Sequence, residues 1–318
     1  MSSTSRAQRD PASASATGVV AVVPTFYPTE DVRTTLGHVI PQVDQVVVVD
    51  DGSGVDADEQ LAAIAALGVT VLRLAENSGI ATALNTGVKA AFDGGASHVL
   101  TLDQDTHLPS DYVTVALGIF ARAHPVTNVG IVVVDGVNGA SALPSARSPE
   151  GLYLVPEAIQ TGMLLSRECY QTVGPFDERL VIDCVDTEYC LRATDHSFRI
   201  AIAAGTSVRH TIGRRAQLRP FGIPIRHRGS GQVATYQYHS PFRRYYIARN
   251  NVDLVFRNAR RRPRWVLAVA KRETGGMIVS MVSGPQRLAQ ILAVITGTVH
   301  GLVRRRGKLP RWLQRVIS

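Results

Sequence analysis

Cysteine is scarce in this 318-residue chain: Cys169, Cys184 and Cys190 are the whole supply. An odd count with no Cys-x-x-Cys pair argues against a disulfide framework or a zinc site and fits a reducing cytosol. Long apolar runs are missing as well, and no stretch reaches the roughly 18–20 residues that a membrane span needs. The first seventeen residues, "MSSTSRAQRDPASASAT", lack the apolar segment of a secretory leader and read as a disordered polar tail. Carboxylates are outnumbered, with 26 Asp and Glu against 34 Lys and Arg, which leaves a net charge of +8 and a pI near 9.7. The excess points to an anionic partner: a phosphate-bearing substrate, an acidic membrane surface or nucleic acid. A composition 45% apolar and 19% charged excludes a disordered or fibrous protein and suffices for one large core or two modest domains.

What is present is a regular alternation. "GVVAVVP", "QVVVVDDGS", "VTVLRL" and "SHVLTLD" are short, continuously apolar runs. Between them lie "TEDVRTTLGHVIPQV", "VDADEQLAAIAALG" and "GIATALNTGVKAAFDGG", which have helical spacing. Strands apolar throughout and separated by helices imply a parallel sheet covered on both faces, with ligands beyond the carboxyl ends of its strands. Polar residues gather at those ends: Thr25 to Tyr27, Asp50 to Ser53, Glu76 and Asn77, Asp103 to Asp105. Turn formation accounts for any one of these groups alone. Further on, "VGIVVVDG" and "AIQTGMLLS" read as strands, "VDTEYCLRATDHS" as a helix and residues 135–152 as a polar loop. After about residue 240 the chain turns basic and helical.

In "LTLDQD" an apolar run ends in Asp103 and Asp105. Alternation along an extended segment sends both acids one way and Gln104 the other. Paired oxygen ligands suit Mg²⁺ or Mn²⁺ shared with phosphates, whereas the bland alternative is a pair of carboxylates capping the next helix. A phosphatase of the haloacid dehalogenase class would need Thr where His107 stands, and its motif after the first strand rather than the fourth. A nicotinamide-binding enzyme would need Gly-x-Gly-x-x-Gly where the chain has "PTFYPTED".

The ordered set "VVPTFYP", "VVVVDDGS", "ENSGIATALNTGV", "LTLDQD", "QTGMLLSRECYQTVGPFDE", "VIDCVDTEYCLR", "VRHTIG" and "RRYYIARN" resembles the inverting family 2 nucleotide-sugar glycosyltransferases of GT-A fold, and among them bacterial rhamnosyltransferases. The resemblance implies an α/β fold: a mixed, mainly parallel Rossmann-like sheet with helices on both faces. It places the catalytic domain at residues 18–257, followed by a basic helical extension over 258–318. It implies that Thr25 and Tyr27 line the base pocket and that Asp50 accepts from the imide N–H of uracil or thymine. Asn77, Gly79 and Asn85 would shape the nucleotide and sugar pocket, the amides after Gly79 facing phosphate. Gln104 would border the same pocket; Asp103, Asp105 and His210 would hold Mg²⁺ or Mn²⁺ on the diphosphate. Pro28 and Asp51 stand where the family usually has Asn.

In "VIDCVDTEYCLR", Asp183 and Asp186 can share a helical face while Glu188 is rotated off. The plain reading is an acidic first turn favourable at a helix N-terminus. The resemblance instead makes Asp186 the catalytic base, with Asp183 and Glu188 toward the acceptor. At helical spacing Tyr246, Arg249 and Asn250 form one face, and Arg249 offers a planar fork for diphosphate oxygens. The resemblance alone makes dTDP-L-rhamnose the expected donor, with UDP-galactofuranose open, and a cell-envelope or polysaccharide glycan or glycolipid the expected acceptor. "QRLAQILAVITGTVHGLVRRRGK" pairs an apolar stretch with a basic end. It suits an anionic membrane interface, or packing on the catalytic domain or on a second copy in a homo-oligomer. The location expected is cytoplasmic, peripheral at the inner face of the cell membrane. A non-catalytic nucleic-acid binder would use "RNARRRPR" and "VRRRGK", but no nucleic-acid motif accompanies them and it leaves the acidic motifs unexplained.

Overall fold

The computed structural model describes residues 18–142, 144–210 and 214–317, so the N-terminal seventeen residues lie outside it. The first half follows the alternation: β1 (Val19–Thr25), α1 (Glu30–Val39), β2 (Gln45–Asp50), α2 (Asp58–Ala65), β3 (Thr70–Arg73), α3 (Ile80–Asp93) and β4 (His98–Thr101). These four strands are mutually parallel, β1 lying between β2 and β4. There follow β5 (Thr106–His107), α4 (Tyr112–Ala123), β6 (Val129–Val137), β7 (Ala140–Ser141), β8 (Ala146–Arg147), β9 (Tyr153–Val155), β10 (Met163–Ser166), α5 (Arg167–Val173), α6 (Val185–Asp195) and β11 (Arg199–His210). Strand β10 enters antiparallel between β4 and β6, and the order is β3-β2-β1-β4-β10-β6-β11-β9-β8.

Because neighbouring side chains of a strand face opposite ways, one apolar run feeds two cores. Val19, Ala21 and Val23 of β1 pack with α1, α2 and α4, whereas Val20 and Val22 pack with α3, α5 and α6. Each Val or Leu fully buried this way contributes about 1.5–3 kcal/mol.

Two readings need correction. The strand expected over "AIQTGMLLS" is only Met163–Ser166, because Gly162 sits at φ +77° and turns the chain. The loop expected over 135–152 contains the edge strands β7 and β8.

The C-terminal part adds a ribbon of β12 (Arg214–Gln217) and β13 (Thr235–Tyr238), then α7 (Pro241–Asn258), α8 (Pro263–Ser283), α9 (Arg287–Leu302) and α10 (Arg311–Ile317). Ser240 caps α7 and Pro241 begins it. Helix α9 lies directly on α7, since a Cβ on Gly297 would stand 2.5 Å from the Tyr245 carbonyl and one on Gly301 2.7 Å from that of Arg249. Among the described residues no helix is long and apolar enough to cross a membrane.

Candidate active site

The loops at the carboxyl ends of β1, β2 and β4 are tied to one another. Tyr27 takes a left-handed φ of 47° and donates its N–H to Ser53 Oγ at 2.7 Å, while Ser53 donates through Oγ and N to Asp50. Asp50 has no exposed surface, and Arg73 stands 3.7 Å from it. A base can reach this carboxylate only if the Ser53 hydroxyl turns away, so here Asp50 anchors its own loop. Thr25 is buried with Oγ1 unpartnered, and Asn77 is exposed. Gln104 joins β1 to the acidic turn: its Oε1 accepts from the Phe26 N–H at 3.0 Å and its carbonyl from Thr35 Oγ1 at 3.0 Å.

The N–H groups of Ser78 and Gly79, just ahead of α3, donate to Asp51 at 2.6 and 2.9 Å and tie this turn to the loop after β2. Gly79 is required because its φ is +97° and a Cβ would meet the Val181 carbonyl at 2.6 Å. The expectation for Asn85 is corrected. Its amide exchanges hydrogen bonds with the Phe176 backbone and donates to Glu178, clamping α3 to the 176–178 segment rather than facing a pocket.

Asp103 and Asp105 do converge, though not by strand alternation: β4 ends at Thr101 and residues 104–105 form a turn. His210, at the end of β11, lies between them, with Nε2 at 3.5 Å from Asp103 Oδ2 and Nδ1 at 3.0 Å from Asp105 Oδ1. Burial pulls the imidazole pKa down, but the hydrogen bond to Asp105 and both negative charges outweigh it and hold His210 above its ordinary value. Burial pushes the Asp103 carboxyl up to about 6 against the opposing charge of His210. The three side chains are thus paired directly, and among the described residues no group of three or more His, Cys, Asp or Glu stands in a metal-ligating arrangement. As a donor set, two carboxylates and one imidazole fit Mg²⁺ or Mn²⁺ once His210 gives up its proton.

Asp186 lies in the first turn of α6. Its Oδ1 accepts from the Thr187 N–H at 2.7 Å and its Oδ2 from the Gln160 N–H at 3.3 Å. Burial, reinforced by the charges of Asp183 and Asp103, pushes its carboxyl up to about 6. Gln160 is the residue that sequence reasoning missed. It is buried, donates Nε2 to Asp103 and its backbone N–H to Asp186, and keeps a buried, unpartnered Oε1. The strand read across "AIQTGM" concealed it.

Asp183 precedes the helix at φ 62°, so no shared helical face relates it to Asp186; it is ion-paired with Arg243 at 2.5 Å. Arg243 was also missed, although it stands three residues before Tyr246 on the same face of α7. The charges of Asp183, Asp103 and Asp186 all raise its pKa against burial, which makes it a cation of the site. Glu188 faces elsewhere: it is buried in a network with Arg192 and Arg257, so its acceptor role is corrected to a structural one.

The face of Tyr246, Arg249 and Asn250 exists, but it points into the protein. Arg249 is 2% exposed and donates to the carbonyls of Gly307, Arg179 and Leu180 and to Asn250 Oδ1. Asn250 Nδ2 donates to the carbonyls of Leu180, Ile182 and Asp183 at 2.9–3.1 Å. Tyr246 accepts from the Leu309 N–H at 2.8 Å. Their expected contacts with the diphosphate are corrected. They brace the 180–184 loop, where Val181, Asp183 and Cys184 all have positive φ, a strain of about 1–3 kcal/mol each. That loop delivers Asp186.

Residues 20–174 match the model of glycosyl transferase family 2. The chain is 27% identical over 259 residues to "dTDP-rhamnosyl transferase RfbF" of Shigella flexneri, covering 76% of this chain and 80% of that one. A crystal structure of GalNAc-T7 with UDP, GalNAc and Mn²⁺ superposes with a TM-score of 0.50 at 15% identity. That match covers 60% of this chain and 43% of the other, so the chain spans less than half that protein's length, and the likeness is one of fold. With the family match running from β1 through α5 and a GT-A-like sheet beneath it, the chain carries a glycosyl transferase family 2 domain and is a glycosyltransferase.

Proposed function

We propose that the chain transfers L-rhamnose from dTDP-L-rhamnose to a hydroxyl of a cell-envelope or polysaccharide glycan, with inversion at the anomeric carbon. The observation that carries this reading is that Gln160 joins Asp186 to the Asp103, Asp105 and His210 group, so a base and a phosphate-holding centre share one floor. The name of the Shigella flexneri relative supports the donor. Asp103, Asp105 and His210 would hold a divalent ion, which supplies Lewis-acid stabilisation of the departing diphosphate when bound.

The remaining chemistry belongs to the chain itself. Asp186, with its carboxyl raised to about 6, is ionised at neutral pH yet basic enough to take the acceptor's proton as the new bond forms. The N–H groups of Thr187 and Gln160 orient its two oxygens. Arg243, the cation facing these acids, rather than Arg249, is the side chain available to the developing phosphate charge. The basic clusters give little support to nucleic-acid binding: Arg257 pairs with Asp177, Glu188 and Asp253, and Arg261 and Arg262 with Asp195.

A panel of nucleotide-sugars tests the reading. Metal-dependent release of dTDP from dTDP-rhamnose, and an NMR spectrum showing the product with the opposite anomeric configuration, is the expected result. Turnover of UDP-galactofuranose alone would overturn the donor, and retention of configuration would overturn the role of Asp186.

A further inference from the structure

Helix α9 is apolar on two opposite faces. Gln290, Ala293, Val294, Gly297 and Gly301 are buried. Leu288, Ile291, Ile295, Val299 and Leu302, spaced by three or four residues on the other side, are 36–84% exposed. A helix with apolar residues all round is one that is covered on both sides, and here the chain covers one. On α10, Trp312 is 60% and Val316 57% exposed.

Charge identifies the cover. No Asp or Glu follows Glu273, while seven Lys and Arg occupy the same stretch. Arg306 and Lys308 are used internally, on Asp253 and Glu76, but Arg304, Arg305, Arg311 and Arg315 are exposed around the end of the stripe. An apolar face edged by exposed cations, with an indole beside it, has the chemistry of a helix lying in an anionic bilayer interface. The segment also reaches the loop after β3, through Lys308 to Glu76, and packs on α7, where Arg249 donates to the Gly307 carbonyl.

We propose that the outer face of α9, together with the exposed side of α10, docks the protein on a membrane surface rich in anionic lipid, with the stripe in the headgroup layer and the arginines on the phosphates. A second copy of the chain is the competing occupant, but two such faces would oppose their cations across the contact.

The test is co-sedimentation of the full chain with vesicles of phosphatidylcholine alone and of phosphatidylcholine mixed with phosphatidylglycerol. It is read without donor or acceptor, so its outcome does not depend on the proposed reaction. The expected result is binding to the mixed vesicles only, weakened by salt. Neutralising both Arg304 and Arg305 to Gln removes about 30-fold of affinity at about one decade per 1.4 kcal/mol and about 1 kcal/mol per surface charge. Ile295→Ser removes about tenfold or more. Both changes lie at exposed positions, and light scattering on the same samples reports the oligomeric state. Equal binding to both vesicle types, or none, overturns the proposal. So does a dimer that Ile295→Ser dissociates and that vesicles fail to recruit.

Discussion

Arg249 is where the sequence and the structure assign opposite jobs, and replacing it by Ala separates them. Four acceptors lose a donor: the carbonyls of Gly307, Arg179 and Leu180, and Asn250 Oδ1. Arg179 O retains the Gly307 N–H at 2.8 Å, and Leu180 O retains Asn250 Nδ2 at 3.1 Å. The half-buried carbonyl of Gly307 and the buried Oδ1 of Asn250 are left unpaired, at about 1–3 kcal/mol each. The expected loss is therefore about 4 kcal/mol, a large share of the 5–15 kcal/mol typical of a folded chain. With a urea slope of about 3 kcal/mol/M the unfolding midpoint falls by about 1.3 M, and at about 2–4 °C per kcal/mol the melting temperature drops by roughly 12 °C. Far-UV circular dichroism reads the midpoint for the whole chain, and the fluorescence of Trp265 and Trp312 reports the C-terminal helices. Donor KM should stay within about twofold, while kcat falls as the 180–184 loop loosens around Asp186. A midpoint unchanged alongside a tenfold rise in donor KM would refute this reasoning and return Arg249 to the phosphates.

Four further outcomes are expected. Asp186→Asn keeps donor affinity, read as thermal protection by dTDP-rhamnose, and lowers kcat by about 10²–10⁴; equal loss of both would remove Asp186 as base. Because the Asp186 carboxyl is raised to about 6, kcat falls about tenfold per unit below that pH, and Asp186→Asn abolishes that limb of the profile. Arg243→Ala lowers kcat more than it changes stability, the reverse of Arg249→Ala, as paired melting and rate measurements would show. The folded-state pKa of Asp103 and of Asp186 lies above the ordinary 3.8, so these two groups stabilise the fold most below 3.8, and that contribution is lost as pH rises through about 6. Mn²⁺ should therefore raise the unfolding temperature at pH 7.5 and have little effect near pH 5, where Asp103 and His210 hold protons; equal effects at both would place the ion elsewhere.

The sequence by itself determined what depends on local pattern. Continuous Val runs such as "VVVV" between helical spacings require a sheet buried on both faces, and chain order then carries Thr25, Asp50 and Asp103 to one edge of it. The acidic start of α6 and the pairing of Asp103 with Asp105 were legible for the same reason: neighbours in sequence stay neighbours in space. Tertiary structure alone decided what each long polar side chain faces. Arg249 reads as a phosphate clamp until the carbonyls of Arg179 and Leu180, seventy positions upstream, fold against it. Asn85 reads as a pocket residue until Phe176 arrives, and Gln160 reads as part of a strand until Gly162 turns it between two acids. A side chain's hydrogen-bonding capacity is written in its type, but whether a ligand or the protein's own backbone satisfies it is settled only when distant segments meet and water is excluded.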